Sequence, residues 1–279
     1  MQLIDGKKIA ENILEECRAS LSRLPAKPKI IDIVVGSDPV SLSYVKIKGR
    51  TAEKIGAEFQ LVQMPASSST AEVVEKITKF NGLPGLCGLI IQLPIPAQLN
   101  KREVLAAIDP QIDIDCLGSE NSESFYDGRA RFVPPTAAAI LAILESVSRN
   151  LAGKKVLIVG QGELVGRPVS FMLKRMGLEV EIADQKTRDL NSLAKTADVV
   201  ISGTGHPGLI SGRMLKKGSV VIDAGTAESG GNIVGDVDFA SVSKVAGFLT
   251  PVPGGVGPVT VAMLYKNLTD SAVKKLAKS

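Results

Sequence analysis

The sequence is poor in the residues that build metal centres, disulfide frameworks and membrane spans. It has one histidine, His206, and three cysteines at wide spacings without a C-x-x-C pair. Zinc sites draw on clustered histidine and cysteine, so we expect no bound metal. Scattered cysteines in odd number are typical of free thiols in a reducing compartment. No apolar run approaches the about 20 residues of a transmembrane helix, and the first residues lack the apolar core of a signal peptide. We therefore expect a cytoplasmic protein.

The charge of the chain excludes further classes of partner. Its 33 basic and 29 acidic residues give a net charge of +4, which is spread along the chain without a basic block. We therefore expect contact with neither nucleic acid nor a membrane, although the small excess could help to attract an anionic ligand. The length of 279 residues and the hydrophobic fraction of 44% are sufficient for two domains with ordinary cores.

The most informative stretch covers residues 153–185, where the pattern predicts a strand, a glycine turn, a helix and a second strand. The apolar run 156–159 is typical of a strand buried on both faces. Gly160, Gly162 and Gly166 follow it with the spacing G-x-G-x-x-x-G. Small residues there let backbone N–H groups and a helix N-terminus approach a pyrophosphate. Because the glycines follow a strand and open a helix, a nucleotide-binding turn is favoured over an ordinary tight turn.

Strands alternate with helices before and after this stretch, which predicts an α/β fold. Asp38 as N-cap, Pro39 at the first helical position and Gly56 as the closing residue predict one helix with sharp ends. Thr136 is predicted to cap a helix that runs to Asn150. The expected helices cover residues 6–23, 39–55, 70–80, 136–150 and 259–279, and the expected strands cover residues 30–35, 59–64, 88–93, 156–159, 179–183, 198–202, 219–223 and 245–249.

A linker with two prolines, residues 131–135, is predicted to divide the chain. We expect a first domain of residues 1–134 and a second domain of residues 135–259. The second domain should be a doubly wound, largely parallel sheet of five short strands, the Rossmann-type architecture that binds dinucleotides.

Several polar side chains of the first domain are candidates for a site. Tyr44 and Lys48 are four residues apart and share a helix face, although a tyrosine packed on a surface lysine would give the same spacing. Gln92 ends an apolar strand, where ligand-binding groups of open α/β sheets cluster, or else it caps a turn. Asp113 and Asp115 point the same way in an extended segment, so they could form a carboxylate pair or hold polar ligand atoms. The segment supplies too few oxygen ligands for a hard metal ion.

In the second domain, two short segments follow strand ends, where a dinucleotide would lie. The first contains Thr204 and Gly205, and the second contains Ala224, Gly225 and Thr226. The neighbouring His206 has no obvious catalytic partner, so we expect an incidental turn residue.

Four ordered motifs resemble those of the methylenetetrahydrofolate dehydrogenase/cyclohydrolase family. They are YVKIK at 44–48, QLPIP at 92–96, DID at 113–115 and TPVPGGVGPVT at 250–260, with the glycine turn between the last two. The resemblance covers nearly the whole chain. It implies a folate-site domain, a Rossmann-type cofactor domain, a cleft between them, a C-terminal helix 260–279 that completes the first domain, and a homodimer.

The resemblance also implies roles for single residues. Lys48 matches the catalytic lysine, and Tyr44 matches the tyrosine that stacks on the substrate ring. Gln92 matches the glutamine that hydrogen-bonds the lysine, and Asp113 matches the acid that holds the pterin. The remaining expected substrate contacts are Leu93, Pro253, Gly254 and Gly257. The expected cofactor contacts are Gly160, Gln161, Gly162, Val165, Gly166, Asp184, Gln185, Thr204, Gly205, Ala224, Gly225, Thr226 and Thr260.

The implied reactions belong to one-carbon metabolism and purine biosynthesis. They are the oxidation of 5,10-methylenetetrahydrofolate to the 5,10-methenyl compound with NAD or NADP, and the hydrolysis of the latter to 10-formyltetrahydrofolate. One alternative is a Rossmann dehydrogenase for another small substrate, which the intact Tyr44, Lys48 and Gln92 argue against. The other is a non-catalytic folate- or nucleotide-binding paralogue. Ile112 and Cys116, which stand where the family has lysine and glycine, favour that alternative or a weakened hydrolase.

Two departures from the family pattern favour NAD over NADP. The family commonly has Arg-Ser in place of Gln161-Gly162 and His-Ser in place of Asp184-Gln185, and that arginine and those serines usually receive the 2′-phosphate of NADP. Asp184 ends the second strand after the glycine turn, where an acid typically binds the ribose hydroxyls of NAD. A carboxylate about 4 Å from a phosphate charge costs roughly 4 kcal/mol at an effective dielectric near 20. The alternative is that Asp184 turns to solvent and that Lys186 or Arg188 receives the phosphate.

Overall fold

The structure is a computed structural model that describes residues 1–148, 151–229 and 232–276. Two compact units account for the chain. The six-stranded unit contains Met1–Glu11 and Thr136–Thr260, and the three-stranded unit contains Asn12–Pro135 and Val261–Ser279. The first eleven residues join the later part of the chain because Gln2 and Leu3 pair with Phe248 and Leu249.

Ten α-helices, one short 3₁₀ helix (Gly212–Met214) and eleven strands lie in the described ranges. The helices are α1 (Gly6–Leu21), α2 (Pro39–Ile55), α3 (Thr70–Asn81), α4 (Lys101–Ala106), α5 (Ser119–Tyr126), α6 (Pro135–Val147), α7 (Gly166–Arg175), α8 (Leu190–Thr196), α9 (Phe239–Val242) and α10 (Val256–Leu276). The strands are β1 (Gln2–Leu3), β2 (Lys29–Val35), β3 (Glu58–Met64), β4 (Leu86–Ile91), β5 (Lys155–Val159), β6 (Glu179–Ala183), β7 (Val199–Ser202), β8 (Val220–Asp223), β9 (Ala227–Ser229), β10 (Asn232–Val234) and β11 (Phe248–Leu249).

The three-stranded unit is a parallel sheet in the order β3-β2-β4. All six residues of β4 and the last six of β2 are buried, as expected for parallel strands that are covered on both faces. One apolar core joins alternate residues of the sheet, such as Ile30 and Ile90, to Leu264 and Leu268 of α10. The opposite core contains Ile31 and the helix α3. The C-terminal helix therefore covers one face of this small sheet.

The six-stranded unit is a parallel sheet in the order β1-β11-β8-β7-β5-β6. The chain winds outward from β5 in both directions, which is the doubly wound arrangement of Rossmann-type sheets. The strands β9 and β10 form a separate antiparallel pair. The predicted two-domain α/β architecture with a parallel-sheet second domain is confirmed.

Local signals placed α2 correctly at both ends. The carboxylate of Asp38 accepts a 2.7 Å hydrogen bond from the Ser41 N–H, and Pro39 is the first helical residue. Gly56 ends the helix in the left-handed conformation with φ 84°. These are the interactions that satisfy the free N–H and C=O groups of helix ends.

Several predicted boundaries were wrong; among them, α1 ends at Leu21 and β4 covers Leu86–Ile91. Thr136 does not cap α6, because the helix already begins at Pro135, a favoured first position since proline lacks an N–H. The helix ends at Val147, and Asn150 lies outside the described residues. The last helix begins at Val256, three residues before the prediction. The strand predicted at 245–249 is reduced to Phe248–Leu249, because the N–H groups of Val245 and Ala246 bond to Val242 in a turn.

The sequence analysis also missed β1, which became a sixth strand of the larger sheet. Gln2 and Leu3 are both exposed, so this short strand has no apolar signature. Among the described residues, none of the helices combines the length and the apolar character of a transmembrane span.

Candidate active site

Lys48 is the centre of a buried polar cluster in the three-stranded unit. It lies on the inward side of α2 with Val45 and Ala52, and only 8% of its surface is exposed. Its Nζ donates a 2.6 Å hydrogen bond to Oδ2 of Asp32 and a 2.7 Å hydrogen bond to Oε1 of Gln92. The structure therefore brings together two of the predicted site residues and one residue that the prediction lacked.

The sheet places these two partners of the lysine. Asp32 is the fourth residue of β2, and Gln92 directly follows β4, the neighbouring strand. The Gln92 N–H donates to the Ile33 carbonyl over 2.9 Å, which extends the ladder by one residue. The Gln92 side-chain amide donates to the Leu93 carbonyl over 2.7 Å, so its oxygen faces Lys48. Gln92 is thus oriented as an acceptor for the lysine, and it does not simply cap a turn.

Tyr44 and the C-terminal helix complete the surroundings of Lys48. Tyr44 lies one turn earlier on α2 and is partly exposed. Tyr265 of α10 is fully buried, and its hydroxyl donates a 2.6 Å hydrogen bond to the Lys48 carbonyl. The sequence analysis assigned α10 no part in holding the lysine.

Asp113, the acid predicted to hold the pterin, is hydrogen-bonded by groups of its own loop. Its carboxylate accepts hydrogen bonds from the N–H of Gly118 at 2.9 Å, from the N–H of Leu117 at 3.3 Å and from the Asn121 amide at 3.1 Å. Burial raises the pKa of this carboxyl, whereas these hydrogen bonds lower it. The side chain is therefore engaged within its own loop, and the structure does not place it in contact with Lys48.

Asp115 is the acid of this loop whose pKa is influenced by the charge of Lys48. Burial raises the pKa of Asp115 to about 6, the charge of Lys48 lowers it, and the charges of Asp113 and Asp32 raise it further. No hydrogen bond contributes to that shift, and the residue is partly exposed. The D-x-D spacing signalled a functional acid, but only the fold distinguishes the acid that shapes the loop from the one beside the lysine.

The next residue, Cys116, adopts an unusual backbone conformation. Its φ is 57°, in the left-handed region that favours glycine, and its side chain is buried. The loop therefore keeps the shape that a glycine would adopt, in spite of the substitution from the family pattern.

The glycine turn after β5 opens α7 as predicted. A Cβ atom at Gly166 would overlap the carbonyl oxygen of Gly160, and Gly160 itself has φ 100°. A Cβ at Gly162 would meet nothing within 4 Å, so the backbone at that point is open. Val165 precedes α7 and packs where a Cβ at Gly203 would lie. The Gln161 amide donates to the Gly160 carbonyl over 3.0 Å.

Two buried acids hold the predicted segments after β7 and β8: Asp223, which the sequence places at the start of the second segment without a role, and Asp236, which the sequence analysis missed. Asp236 accepts hydrogen bonds from the Ser202 hydroxyl at 2.7 Å and from the Thr204 N–H at 2.6 Å. Asp223 accepts from the N–H of Gly225, Asp236 and Val237, each at 3.0 Å. Burial raises the pKa of Asp223 to about 6.

These two acids fix the backbone of the two segments in which five cofactor contacts are predicted. Those contacts are Thr204, Gly205, Ala224, Gly225 and Thr226, all beyond the carboxyl ends of their strands. Asp223 could have been predicted as a functional residue, because it is the one acid at the end of the apolar strand VVID. His206 is exposed, and its Nδ1 lies 3.1 Å from the Thr204 carbonyl oxygen of its own turn.

Asp184 and Gln185 lie directly after β6 and are exposed. The carboxylate of Asp184 accepts a 2.8 Å hydrogen bond from the Lys186 N–H and a 3.4 Å hydrogen bond from the Thr187 hydroxyl. It therefore shapes a turn at the strand end through one oxygen.

The proline- and glycine-rich motif 250–260 forms a turn and the start of α10. Pro253 follows a cis peptide bond, and Gly254 has φ 108°. A Cβ at Gly255 would come within 2.6 Å of the Pro251 carbonyl oxygen, whereas one at Gly257 would meet nothing. The Thr260 hydroxyl donates to the Val256 carbonyl over 3.2 Å, inside the helix. Gly255 is therefore required by the tight path of the backbone, whereas Gly257 leaves an open surface.

Comparison with known protein families agrees with both units. Residues 4–115 match the family described as "Tetrahydrofolate dehydrogenase/cyclohydrolase, catalytic domain", and residues 134–276 match "Tetrahydrofolate dehydrogenase/cyclohydrolase, NAD(P)-binding domain". The chain belongs to the tetrahydrofolate dehydrogenase/cyclohydrolase family. It is therefore an NAD(P)-binding oxidoreductase and hydrolase of folate metabolism.

Individual members of the family align over almost their whole length. The chain is 39% identical over 275 residues to the bifunctional protein FolD of Moorella thermoacetica, covering 97% of this chain and 98% of that protein. The crystal structure of FolD from Campylobacter jejuni superposes with a TM-score of 0.95 at 34% identity, covering 99% of this chain and 100% of the other. The Trypanosoma brucei FolD, crystallised with NADP and an inhibitor, gives a TM-score of 0.93 at 31% identity over 98% and 97% of the two chains.

For the described residues, no group of three or more histidine, cysteine, aspartate or glutamate side chains could hold a metal ion. The three cysteines are buried and free.

Proposed function

We propose that the chain oxidises 5,10-methylenetetrahydrofolate to 5,10-methenyltetrahydrofolate with a nicotinamide dinucleotide and hydrolyses the product to 10-formyltetrahydrofolate. The supporting observation is the Lys48 ammonium, which is buried and held by Gln92 at the end of β4 in a chain of this family. A lysine fixed in this way is suited to proton transfer, which the hydrolysis requires.

The oxidation depends on alignment more than on acid–base help. Two nitrogen lone pairs flank the one-carbon bridge and can expel a hydride, and a bound nicotinamide accepts it. The glycine turn fits a dinucleotide, because the open backbone at Gly162 and the start of α7 at Gly166 leave room for a pyrophosphate. We infer that the segments at Thr204–Gly205 and Ala224–Thr226 line the same site.

The hydrolysis uses residues of the three-stranded unit. Lys48 transfers protons as water adds to the methenyl carbon, and Tyr44 stacks on the substrate ring. We propose that Asp115, beside Lys48, contacts the pterin, and that Asp113 holds the loop in shape. Leu93, Pro253, Gly254 and Gly257 remain proposed substrate contacts.

One assay tests the whole proposal. Formation of methenyltetrahydrofolate is followed by absorbance with NAD and with NADP, and its decay to the 10-formyl compound is followed separately. We expect both activities. Turnover of neither compound, with folate binding retained, would identify a non-catalytic paralogue.

We also propose that NAD is preferred over NADP. Asp184 is exposed at the end of β6 with one oxygen free of the turn bonds to Lys186 and Thr187, and Gln161 is folded back on Gly160. A carboxylate accepts hydrogen bonds from ribose hydroxyls and repels a phosphate. A positive group for the phosphate would have to come from Lys186 or Arg188.

The variant Asp184→Ser tests the preference. We expect kcat/KM with NADP to rise at least about tenfold relative to NAD, because the repulsion is removed. Glu181→Ser, which replaces an acid within β6, serves as the control and should leave the ratio unchanged. An NADP preference in the parent enzyme that falls in Lys186→Ala or Arg188→Ala would show that the phosphate is received there.

We further propose a homodimer, on the basis of the family resemblance, and a cytoplasmic location, on the basis of the three free cysteines. Light scattering on the purified protein measures the mass in solution, and a monomer at micromolar concentration contradicts the dimer.

A further inference from the structure

Asp32 is an acid in the middle of an apolar strand. The sequence of β2 is KIIDIVV, and the flanking Ile31 and Ile33 are buried in the core. The side chain of Asp32 has no exposed surface. Because a buried carboxylate costs free energy that an apolar residue of similar size would avoid, the strand gains no stability from it. The charge of Asp32 therefore binds the Lys48 ammonium and does not stabilise the fold.

The hydrogen bonds of the cluster can be counted for both partners. A lysine ammonium has three N–H donors. One goes to Asp32 at 2.6 Å and one to Gln92 at 2.7 Å, so one remains. Oδ1 of Asp32 is buried and has no hydrogen-bond partner among the described residues. The carboxylate thus acts through a single oxygen, and that oxygen is on the lysine.

Other charged and titratable groups face this pair from neighbouring elements. Asp115 and Asp113 lie in the loop before α5, and the charges of Lys48 and Asp32 act on Asp115. From α10, Tyr265 holds the Lys48 carbonyl and is influenced by the charge of Asp32. Burial raises the pKa of Asp32, and the charge and hydrogen bond of Lys48 lower it. Lys48 is the cation of this group, and its charge acts on Asp32 and Asp115.

We propose that Asp32 is a positioning residue for the hydrolytic reaction: with Gln92 it takes two donors of the Lys48 ammonium and leaves the third N–H for the folate. This rests on the proposed hydrolysis and deepens it. The charge-assisted bond to Asp32 keeps the ammonium at one place and in one orientation. Asp32 itself does not touch the substrate.

The role follows from the proton balance of the reaction. Water oxygen forms a bond to the methenyl carbon and loses one proton to solvent. When the carbon–nitrogen bond at N5 breaks, its electron pair stays on N5, which takes a proton from the Lys48 ammonium. The remaining hydroxyl proton passes to the now neutral Lys48 as the formyl C=O forms, which restores the ammonium. A lysine that donates to one ring nitrogen needs a fixed direction, whereas the hydride step needs no proton from it.

Asp32→Asn tests the proposal because it keeps the size of the side chain and removes the charge. We expect kcat for hydrolysis to fall about 10- to 100-fold, the range for one charge-assisted hydrogen bond. KM for the methenyl compound and kcat for the dehydrogenase should each stay within about threefold. Asp109→Asn is the control, because its carboxylate bonds to the N–H of Gln111 in its own turn. An equal loss of both activities, or no loss of hydrolysis, would overturn the proposal.

Asp32→Leu keeps the test valid if the asparagine variant folds poorly. It removes the buried acid altogether, and we expect the same selective loss of hydrolysis. Loss of both activities in a variant with unchanged thermal unfolding would contradict the positioning role, because the loss would be neither selective for hydrolysis nor caused by misfolding.

A readout without turnover separates this proposal from the proposed function. The side-chain ¹⁵N signal of Lys48, assigned by its absence in Lys48→Met, reports how fast its ammonium protons exchange with water. We expect exchange to be at least about tenfold faster in Asp32→Asn. Unchanged exchange would refute the positioning of Lys48 by Asp32, even if the enzyme hydrolyses the substrate. Faster exchange in a protein without hydrolytic activity would refute only the proposed function.

Discussion

Asp32, Lys48 and Asp115 form a charged group whose members come from a strand, a helix and a loop. Breaking one partner of a buried ion pair leaves the other charge uncompensated, which typically costs about 3–5 kcal/mol. Any substitution of Lys48 therefore acts on stability as well as on chemistry. A test of its catalytic role needs a variant in which the leftover charge is removed.

Lys48→Met is expected to reduce hydrolysis of the methenyl compound at least about 100-fold, because the proton-transfer group is lost. Folate affinity should change far less, since the methionine keeps the length of the side chain. The double variant Lys48→Met/Asp32→Leu removes the unpaired carboxylate and should unfold at a higher temperature than the single variant. Lys46→Met, an exposed lysine of the same helix, is the control. Full hydrolysis by the double variant would remove Lys48 from the mechanism.

Asp115 makes stability depend on pH in a predictable direction. Its pKa in the folded protein is about 6 instead of 3.8, so the folded state binds the proton more tightly than the unfolded state. Stability from this residue is greatest below about pH 4 and falls as the pH rises toward about 6, by up to about 3 kcal/mol.

Asp115→Asn should remove this dependence. We expect the thermal midpoint of the variant, relative to the parent, to increase between about pH 4 and about pH 7. Differential scanning calorimetry across that range measures it. Asp109→Asn controls for the loss of a carboxylate in the same unit. A difference that stays constant or decreases with pH would show that the carboxyl of Asp115 is not destabilised by burial.

At the scale of elements, α10 contributes hydrogen bonds to several parts of the three-stranded unit. Tyr265 donates to the Lys48 carbonyl, and Ser271 donates to the Gln111 carbonyl at 3.1 Å. The amide of Asn267 donates to the carbonyls of Ile114 and Val133, each at 2.8 Å. The helix therefore satisfies backbone groups of the loop that contains Asp113 and Asp115, besides burying its apolar face.

Asn267→Ala tests this function of the helix. Two carbonyl groups lose their partner, and Asn267 is buried, so we expect a loss of about 2–3 kcal/mol in the free energy of unfolding. Lys266→Ala, at an exposed position of the same helix, should change stability by less than about 0.5 kcal/mol. Urea unfolding of both variants gives the comparison. Equal stabilities would show that water replaces the asparagine.

At the scale of the whole molecule, each compact unit is assembled from two separate parts of the chain. The three-stranded unit takes Val261–Ser279 from the C-terminus, and the six-stranded unit takes Met1–Glu11 from the N-terminus. Leu264, Tyr265 and Leu268 of α10 are buried in the core of the three-stranded unit. Cutting the chain at the linker therefore does not give two complete cores.

A fragment of residues 12–135 is expected not to unfold cooperatively, because one face of its sheet is left uncovered. The same fragment joined through a flexible linker of about 20 residues to residues 261–279 should regain a cooperative transition in urea. A cooperative transition in the shorter fragment would mean that α10 is not needed for this core.

The sequence by itself determined the local structure and the family. The ends of α2 and the position of the glycine turn follow from contacts between residues near in sequence, which a linear pattern contains. The turns at the glycine spacing and at the motif 250–260 could also be predicted from the sequence, because steric limits on the backbone act residue by residue. Lys48, Tyr44 and Gln92 were predicted from their spacing and from the resemblance, and the structure brings Lys48 and Gln92 together.

Only the tertiary structure decided which side chains meet. Asp32 lies 16 residues before Lys48 and Tyr265 lies 217 residues after it, and each contacts the lysine only because a sheet and a helix place it there. The choice between Asp113 and Asp115 also required the fold, since both have the same spacing pattern and differ in what surrounds them. Burial and charge depend on neighbours that are distant in sequence, so no local pattern contains them.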